Sequence, residues 1–284
     1  MEPHTIATQV KSVFSLPEVV IKINELIDSG DTTNSELEQT VLNDPALTAK
    51  MLKFANSAYF GFPKKVETVS NAISLIGHRE LRNLALASSV TSVFKGISSD
   101  LVDMESFWHH SVSVGVIARL LANDINSRER MFIAGLLHGI GKLILFSQFP
   151  VESAKILSTT KQDEDAIIFA ERQVFGFTYA ELSAEFLNEW SLPVSIWKIV
   201  ESQLDPVNTE QFKIDACILH LAIKAANYKQ SHLACDINYD EMRSLCKPTV
   251  WEVLGFNADV IELVNSVADL QINDMYNCIR PEAI

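Results

Sequence analysis

Apolar residues recur at helical spacing along nearly the whole chain, and the strict alternation that would mark half-buried strands is absent. Residues 17–29 set Val20, Ile23, Leu26 and Ile27 on one side, open at Pro17 and stop at Gly30, which predicts a helix with a proline start and a glycine end. A second helix is predicted from Thr33, where Thr-Asn-Ser-Glu puts Glu36 in capping-box position, to about Asn43. A third starts at Asp44-Pro45 and runs to about Ser57. Gly61, Pro63 and the Lys64-Lys65 pair mark a loop; periodicity resumes over 68–76, is punctuated at Gly77 and returns over 79–94. Asp103 caps a helix over 104–125. Further helices are predicted near 151–159, 163–175, 178–190 behind a Thr178/Glu181 capping box, 193–203 behind Pro193, 209–229, and 239–280 with breaks at Pro248 and Gly255.

The densest apolar stretch is 131–146. Ile133, Leu136, Leu137, Ile140 and Ile144 share one face while Met131, Phe132, Ala134, Leu143, Leu145 and Phe146 cover the others, so one buried helix is predicted there. It is too short and too interrupted to span a membrane. Inside it, His138 and Lys142 stand four positions apart on one face, and each needs a polar partner or a ligand to offset desolvation. His138 reads either as a core histidine bonded to a carbonyl and a neighbouring side chain or as the wall of a pocket. Lys142 reads as emerging at the helix end to pair with a carboxylate, or as lining that same pocket. Gly135 and Gly139 are candidates for close helix approach.

With 284 residues and 48% hydrophobic content, the chain can bury the core of one large domain or of two intimately packed ones. The formal net charge of −13 argues against duplex nucleic acid as a partner, because phosphate contacts need clustered Lys and Arg. Met-Glu-Pro-His is no secretory start and no stretch reads as membrane-spanning, so the expected location is cytoplasmic. Cys217, Cys235, Cys246 and Cys278 form no Cys-x-x-Cys pair and are expected to be reduced and structural. One local excess of positive charge interrupts the acidic background. Lys50, Lys53, Lys64, Lys65, Arg79 and Arg82 face only Glu67 and Glu80 between residues 50 and 82, which reads as a solvated rim or as a surface for an anion or an acidic partner.

Leu-Leu-His-Gly-Ile-Gly-Lys-Leu, at 136–143, resembles the signature of the HD superfamily of metal-dependent phosphohydrolases, in which the histidine is followed by aspartate; here Gly139 follows. Leu16-Pro17, the segment from Asn43 through Asn56-Ser57-Ala58-Tyr59 to Gly61, Ala72 to Gly77, Leu81 to Leu84, and Phe107-Trp108-His109-His110-Ser111 are together similar to the HDOD family, a bacterial signalling branch of that superfamily. The resemblance covers about residues 12–225. It implies an all-α fold with an N-terminal helical bundle at 12–100, an HD-like multi-helix core at 101–225, and an added helical C-terminus at 226–284. It also puts His110, not His109, and His138 at positions where active relatives hold divalent metal with two His and two Asp. The remaining positions depart from that pattern: Gly139 lacks the doublet's aspartate, Gln203-Leu204-Asp205-Pro206 loses a His-His pair, and Ile223 stands where a final aspartate aligns.

Two neutral imidazoles give a hard cation no anionic ligand, so no metal or other cofactor is expected, and without metal the activated water is lost. The expected function is a non-catalytic signal-transduction protein binding a signalling protein or a small anionic ligand through a degenerate pocket of His110, His138 and Lys142. Lys50, Lys53, Lys64, Lys65, Arg79 and Arg82 form a second candidate surface. The competing reading is a metal-dependent phosphohydrolase acting on nucleotides or cyclic dinucleotides. Asn56, Ser57 and Tyr59 are expected to cap and stitch the loop after their helix.

Overall fold

The structure, a computed structural model, describes residues 2–57, 59–94, 96–122, 124–160, 163–231 and 236–280. No strand occurs among the described residues. In chain order the helices are α1 (Pro3–Val10), α2 (Glu18–Ser29), α3 (Asn34–Leu42), α4 (Pro45–Ala55), α5 (Val69–Val93), α6 (Met104–Leu121), α7 (Ile125–Leu137), α8 (Ile140–Gln148) and α9 (Pro150–Thr160). They continue as α10 (Glu164–Phe175), α11 (Tyr179–Glu189), α12 (Val194–Glu201), α13 (Lys213–Ser231), α14 (Tyr239–Ser244), α15 (Pro248–Leu254) and α16 (Ala258–Ile279).

The starts follow from side chains that take up orphan N–H groups. Thr33 with Glu36 and Thr178 with Glu181 close capping boxes, and Asp44, Asp103 and Asp163 accept from the first turns of α4, α6 and α10. Gly30 ends α2 and Gly77 kinks α5, both at positive φ (82° and 83°), where a side chain would be strained.

Two compact units result. One comprises residues 1–14 and 94–266, the other 15–93 and 267–284. The three segments expected from the sequence map differently onto them. The stretch 226–284 does not stand apart: its first part packs with the larger unit, α15 against α13. In the smaller unit the end of α16 is tied to α4 and α5, through Lys53 Nζ to the Asn277 carbonyl (2.6 Å) and Thr91 Oγ1 to the Ile279 carbonyl (3.1 Å). Helix α1, unforeseen in the sequence, belongs to the larger unit; it buries Ile6, Ala7 and Val10 and packs along α11, with His4 and Lys11 meeting Glu185 and Glu189.

The largest departure from the sequence reading lies in the stretch predicted as one helix over 131–146. The chain breaks there: α7 ends with His138 as its C-cap, Gly139 turns at φ −103°, ψ 4°, and α8 restarts at Ile140. By length and composition the run Ser127–Gln148 does reach membrane-spanning size, contrary to expectation, but 78% of its most apolar window is buried. It supplies the centre of the larger unit's core. Glycines let this centre close up. A Cβ on Gly135 would sit 2.6 Å from Gly115 Cα, so α6 and α7 touch through backbone, and a Cβ on Gly141 would sit 2.1 Å from the Tyr179 carbonyl, so α8 and α11 do the same. Gly139 plays no such part, since a Cβ there meets only Phe107 ring carbons at an ordinary 3.6 Å.

Cys217, Cys246 and Cys278 are buried free thiols, and burial pushes them up to about 11, 12 and 11; Cys235 lies outside the described residues.

Candidate functional site

The α6–α7 backbone contact brings the two histidines together. His138 is 1% exposed, and its ring centroid lies 5.6 Å from that of His110, edge to face. His138 Nδ1 sits 2.6 Å from the Gly135 carbonyl, which can only accept, so Nδ1 carries the proton and Nε2 keeps its lone pair. His110 Nδ1 is buried with no hydrogen-bond partner among the described residues. His109, one residue earlier, is exposed. Burial, the neighbouring histidine and Lys142 push His110 down to about 3; burial and Lys142, against the Gly135 bond, push His138 down to about 4. Both rings are therefore neutral at physiological pH.

The turn between α7 and α8 is held by its carbonyl. His138 O accepts from Gln203 Nε2 (3.0 Å) and Ser183 Oγ (3.1 Å), and Gly141 N–H donates to Ser183 Oγ (2.8 Å). Gln203 thus has a structural job at the position where relatives carry a histidine pair, and its own Oε1 is buried without a hydrogen-bond partner among the described residues. His220 Nδ1 bonds the Gln203 carbonyl at 2.8 Å. Ile223 is buried and apolar.

Lys142 does not emerge to meet a carboxylate. The break at Gly139 resets the direction of α8, and the half-buried ammonium lies over the Tyr179 ring, 4.2 Å from its centroid. No ion pair to it lies within 4 Å among the described residues. Burial lowers its affinity for a proton, while Glu164 and Glu171 pull the other way. These carboxylates, and the cation Lys224, are what the sequence reading missed. Glu164 pairs with Lys224 at 2.8 Å and accepts from the Tyr179 hydroxyl at 3.5 Å; Glu171, 4% exposed, accepts from the Tyr179 N–H at 2.7 Å. A signal was present: Glu164 and Glu171 are seven apart on one stripe of α10, and Lys224 follows His220 by four on α13.

A divalent metal does not fit this donor set. His110 and His138 supply two neutral nitrogens, Gly139 and Ile223 supply nothing, and the nearby carboxylates are engaged elsewhere. No group of three or more His, Cys, Asp or Glu among the described residues is arranged to hold an ion.

In the smaller unit, the six basic residues are not all available. Lys50 Nζ donates to the Ser88 carbonyl (3.2 Å), Lys53 to that of Asn277, and Arg82 to Asp28 and the Asn24 carbonyl, because each has a stem long enough to reach a neighbouring helix. Lys64 and Lys65 keep exposed side chains, and Arg79 is exposed with an interaction of its own. Lys65 borders an open groove of about 730 Å³ with Leu52, Lys53, Asn56, Val66 and Glu67. Asn56 is a stitch: its amide donates to the Leu52 and Val66 carbonyls and accepts from Val66 N–H. Ser57 Oγ is buried with no hydrogen-bond partner among the described residues, Tyr59 packs against Phe54, and Ala58 lies outside the described residues.

The HDOD domain profile matches residues 13–206. A curated but uncharacterized protein of Treponema pallidum (strain Nichols) is 24% identical over 192 residues, 66% of this chain and 37% of its own length, so this chain spans little more than a third of that relative. Among solved structures, one from Shewanella amazonensis SB2B, provisionally named a phosphohydrolase, aligns at TM-score 0.77 and 24% identity over 96% of this chain and 97% of its own. An HDOD domain protein of unknown function from Geobacter sulfurreducens aligns at TM-score 0.70 and 21% identity, covering 97% of this chain and 96% of its own. A protein from Marinobacter aquaeolei VT8, provisionally named for signal transduction, aligns at 0.67 and 21% over 93% of this chain and 59% of its own.

Proposed function

The chain belongs to the HDOD domain family, and from that footing we propose that it is a non-catalytic regulatory protein whose HD-type pocket receives a small anionic ligand. The observation that carries this reading is the buried Nδ1 of His110, without a hydrogen-bond partner among the described residues, edge to face with His138 and within electrostatic reach of a Lys142 ammonium that makes no ion pair among those residues. A polar atom buried without a partner costs free energy that a ligand oxygen would recover. Lys142 supplies the charge and the neutral imidazole of His110 supplies an N–H donor, while His138, whose N–H is spent on the Gly135 carbonyl, offers only a lone pair to a hydroxyl or protonated oxygen of the ligand. No cofactor takes part, and hydrolysis is not part of this reading, because the position that would anchor an activated water has no carboxylate.

Calorimetric titration with pyrophosphate, nucleoside phosphates and cyclic dinucleotides tests it. At least one of these should bind, and Lys142→Met should weaken that ligand about tenfold or more, the loss of one charge-assisted contact. Unchanged affinity in Lys142→Met would remove the pocket from this role. Metal-dependent phosphate release that disappears in His110→Ala and His138→Ala would instead establish the enzyme.

The exposed Lys64 and Lys65 offer a second surface, suited to an acidic signalling partner. Lys64→Glu with Lys65→Glu should shift stability by less than about 0.5 kcal/mol, since neither side chain is buried. Thermal melts check that, and a partner docked there should lose both affinity and salt dependence in the double variant.

A further inference from the structure

Tyr179 is the point where the pocket's charges meet. Lys142 lies over its ring, Glu164 receives its hydroxyl, and Glu171 receives its N–H. The two carboxylates differ in one respect. Glu164 has its own cation in Lys224, whereas no cation lies within ion-pair distance of Glu171 among the described residues, and the positive charge acting on it is Lys142. A buried carboxylate held by the Tyr179 N–H and a lysine held over the Tyr179 ring, acting on each other electrostatically without an ion pair between them, form an unfinished ion pair. Resting on the anion-pocket reading above, we infer that Glu171 is the counter-carboxylate of Lys142, and that whether it carries a proton sets the pocket's affinity for anions.

The surrounding groups isolate Glu171 as the group that changes charge near neutrality. Burial pushes it up to about 7; the Tyr179 N–H and Lys142 pull it down, and Glu181 on α11 pushes it up. Burial disfavours the charges of Glu164 and Lys224, but each holds the other ionised. His110 and His138 are neutral throughout this range, and burial lowers His220 as well. Glu152 and Lys155 on α9, which also packs along α10, are exposed. When Glu171 is protonated, Lys142 loses one competing negative charge and keeps only that of Glu164, which Lys224 offsets, so it is more open to a ligand anion. When Glu171 ionises, the anion must displace it.

Sulfate is a suitable probe because its charge is constant across neutrality. Its binding, followed by NMR on the His138 and Lys142 side chains, should tighten about fivefold or more between about pH 8 and pH 6, a usual size for coupling between two sites. In Glu171→Gln, which keeps an oxygen to accept the Tyr179 N–H, sulfate should bind with no pH dependence and at the tighter level. The Glu171 carboxyl carbon should titrate near neutrality without ligand, and higher in Lys142→Met. Sulfate that binds equally at both pH values, with Glu171 titrating in the ordinary carboxylate range, would overturn the inference and leave the anion pocket standing. Glu171 titrating near neutrality and responding to Lys142→Met, with no sulfate bound at either pH, would support the counter-carboxylate and discard the anion pocket.

Discussion

Gly141→Ala should lower the stability of the larger unit by about 3 kcal/mol or more, while Gly139→Ala, two residues earlier, should change it by less than about 1 kcal/mol. The contrast comes from what each methyl group meets. At Gly141 it would be driven to 2.1 Å from the Tyr179 carbonyl and 2.8 Å from Ser183 N, both backbone, so no rotamer change relieves it and α8 must move off α11. That movement would also break the Gly141 N–H bond to Ser183 Oγ, and with it the seat of Lys142 over Tyr179. At Gly139 the backbone is in a region open to any residue, and the added methyl makes an ordinary contact with Phe107. Urea unfolding followed by tryptophan fluorescence reads the effect directly, since Trp108, Trp190, Trp197 and Trp251 all lie in the larger unit. Matching midpoints for wild type and Gly141→Ala would refute the α8–α11 backbone contact. Gly135→Ala, with its methyl against Gly115, belongs with Gly141 and not with Gly139.

The same glycines show how far the sequence could be read. Helix starts were legible wherever a short polar side chain precedes an apolar run, as at Thr33, Asp44, Asp103 and Thr178, because a cap is a local bond between neighbours in sequence. Gly30 and Gly77 were legible for a similar reason: positive φ is a demand that a single residue can announce. The break at His138-Gly139 was not. Apolar residues continue through it with helical spacing, and what holds the turn is Ser183 and Gln203, which arrive from α11 and from just beyond α12, far along the chain. Nor does a glycine in sequence reveal whether it serves backbone contact or merely lacks a side chain; Gly135 and Gly139 looked alike and differ by an ångström at the Cβ. The pairing of His110 with His138 followed from motif positions, but the gathering of Glu164, Glu171 and Lys224 around Lys142 is a product of helix packing: their spacing shows which residues share a face and not what that face meets.

Stability of the larger unit should peak near pH 6.5 and fall on both sides. On the acid side, His110 and His138 bind protons in the unfolded chain at their ordinary 6.5 but resist them in the fold down to about 3 and about 4. Below 6.5 the unfolded chain therefore holds two more protons at these sites, and each costs the fold about 1.4 kcal/mol per pH unit. Glu171 acts in the opposite sense. It is ionised in the unfolded chain above 4.5 yet keeps its proton in the fold up to about 7, so between those values it favours the fold, by an amount that shrinks as pH rises. Between about pH 4.5 and 6.5 two histidines outweigh one carboxylate, and the net slope is about 1.4 kcal/mol gained per unit of rising pH. Above 6.5 the two histidines are neutral in both states, and of these three groups Glu171 alone still changes, until it too is ionised in both. Denaturation midpoints measured across this range give the curve, and variants separate its limbs. Glu171→Gln should abolish the decline above pH 6.5 and leave the acid limb steeper, because the opposing term is gone. His110→Asn should roughly halve the acid loss that the two rings produce together. A profile that stays flat from about pH 5 to pH 8 in wild type would mean that neither the imidazoles nor Glu171 is buried as described.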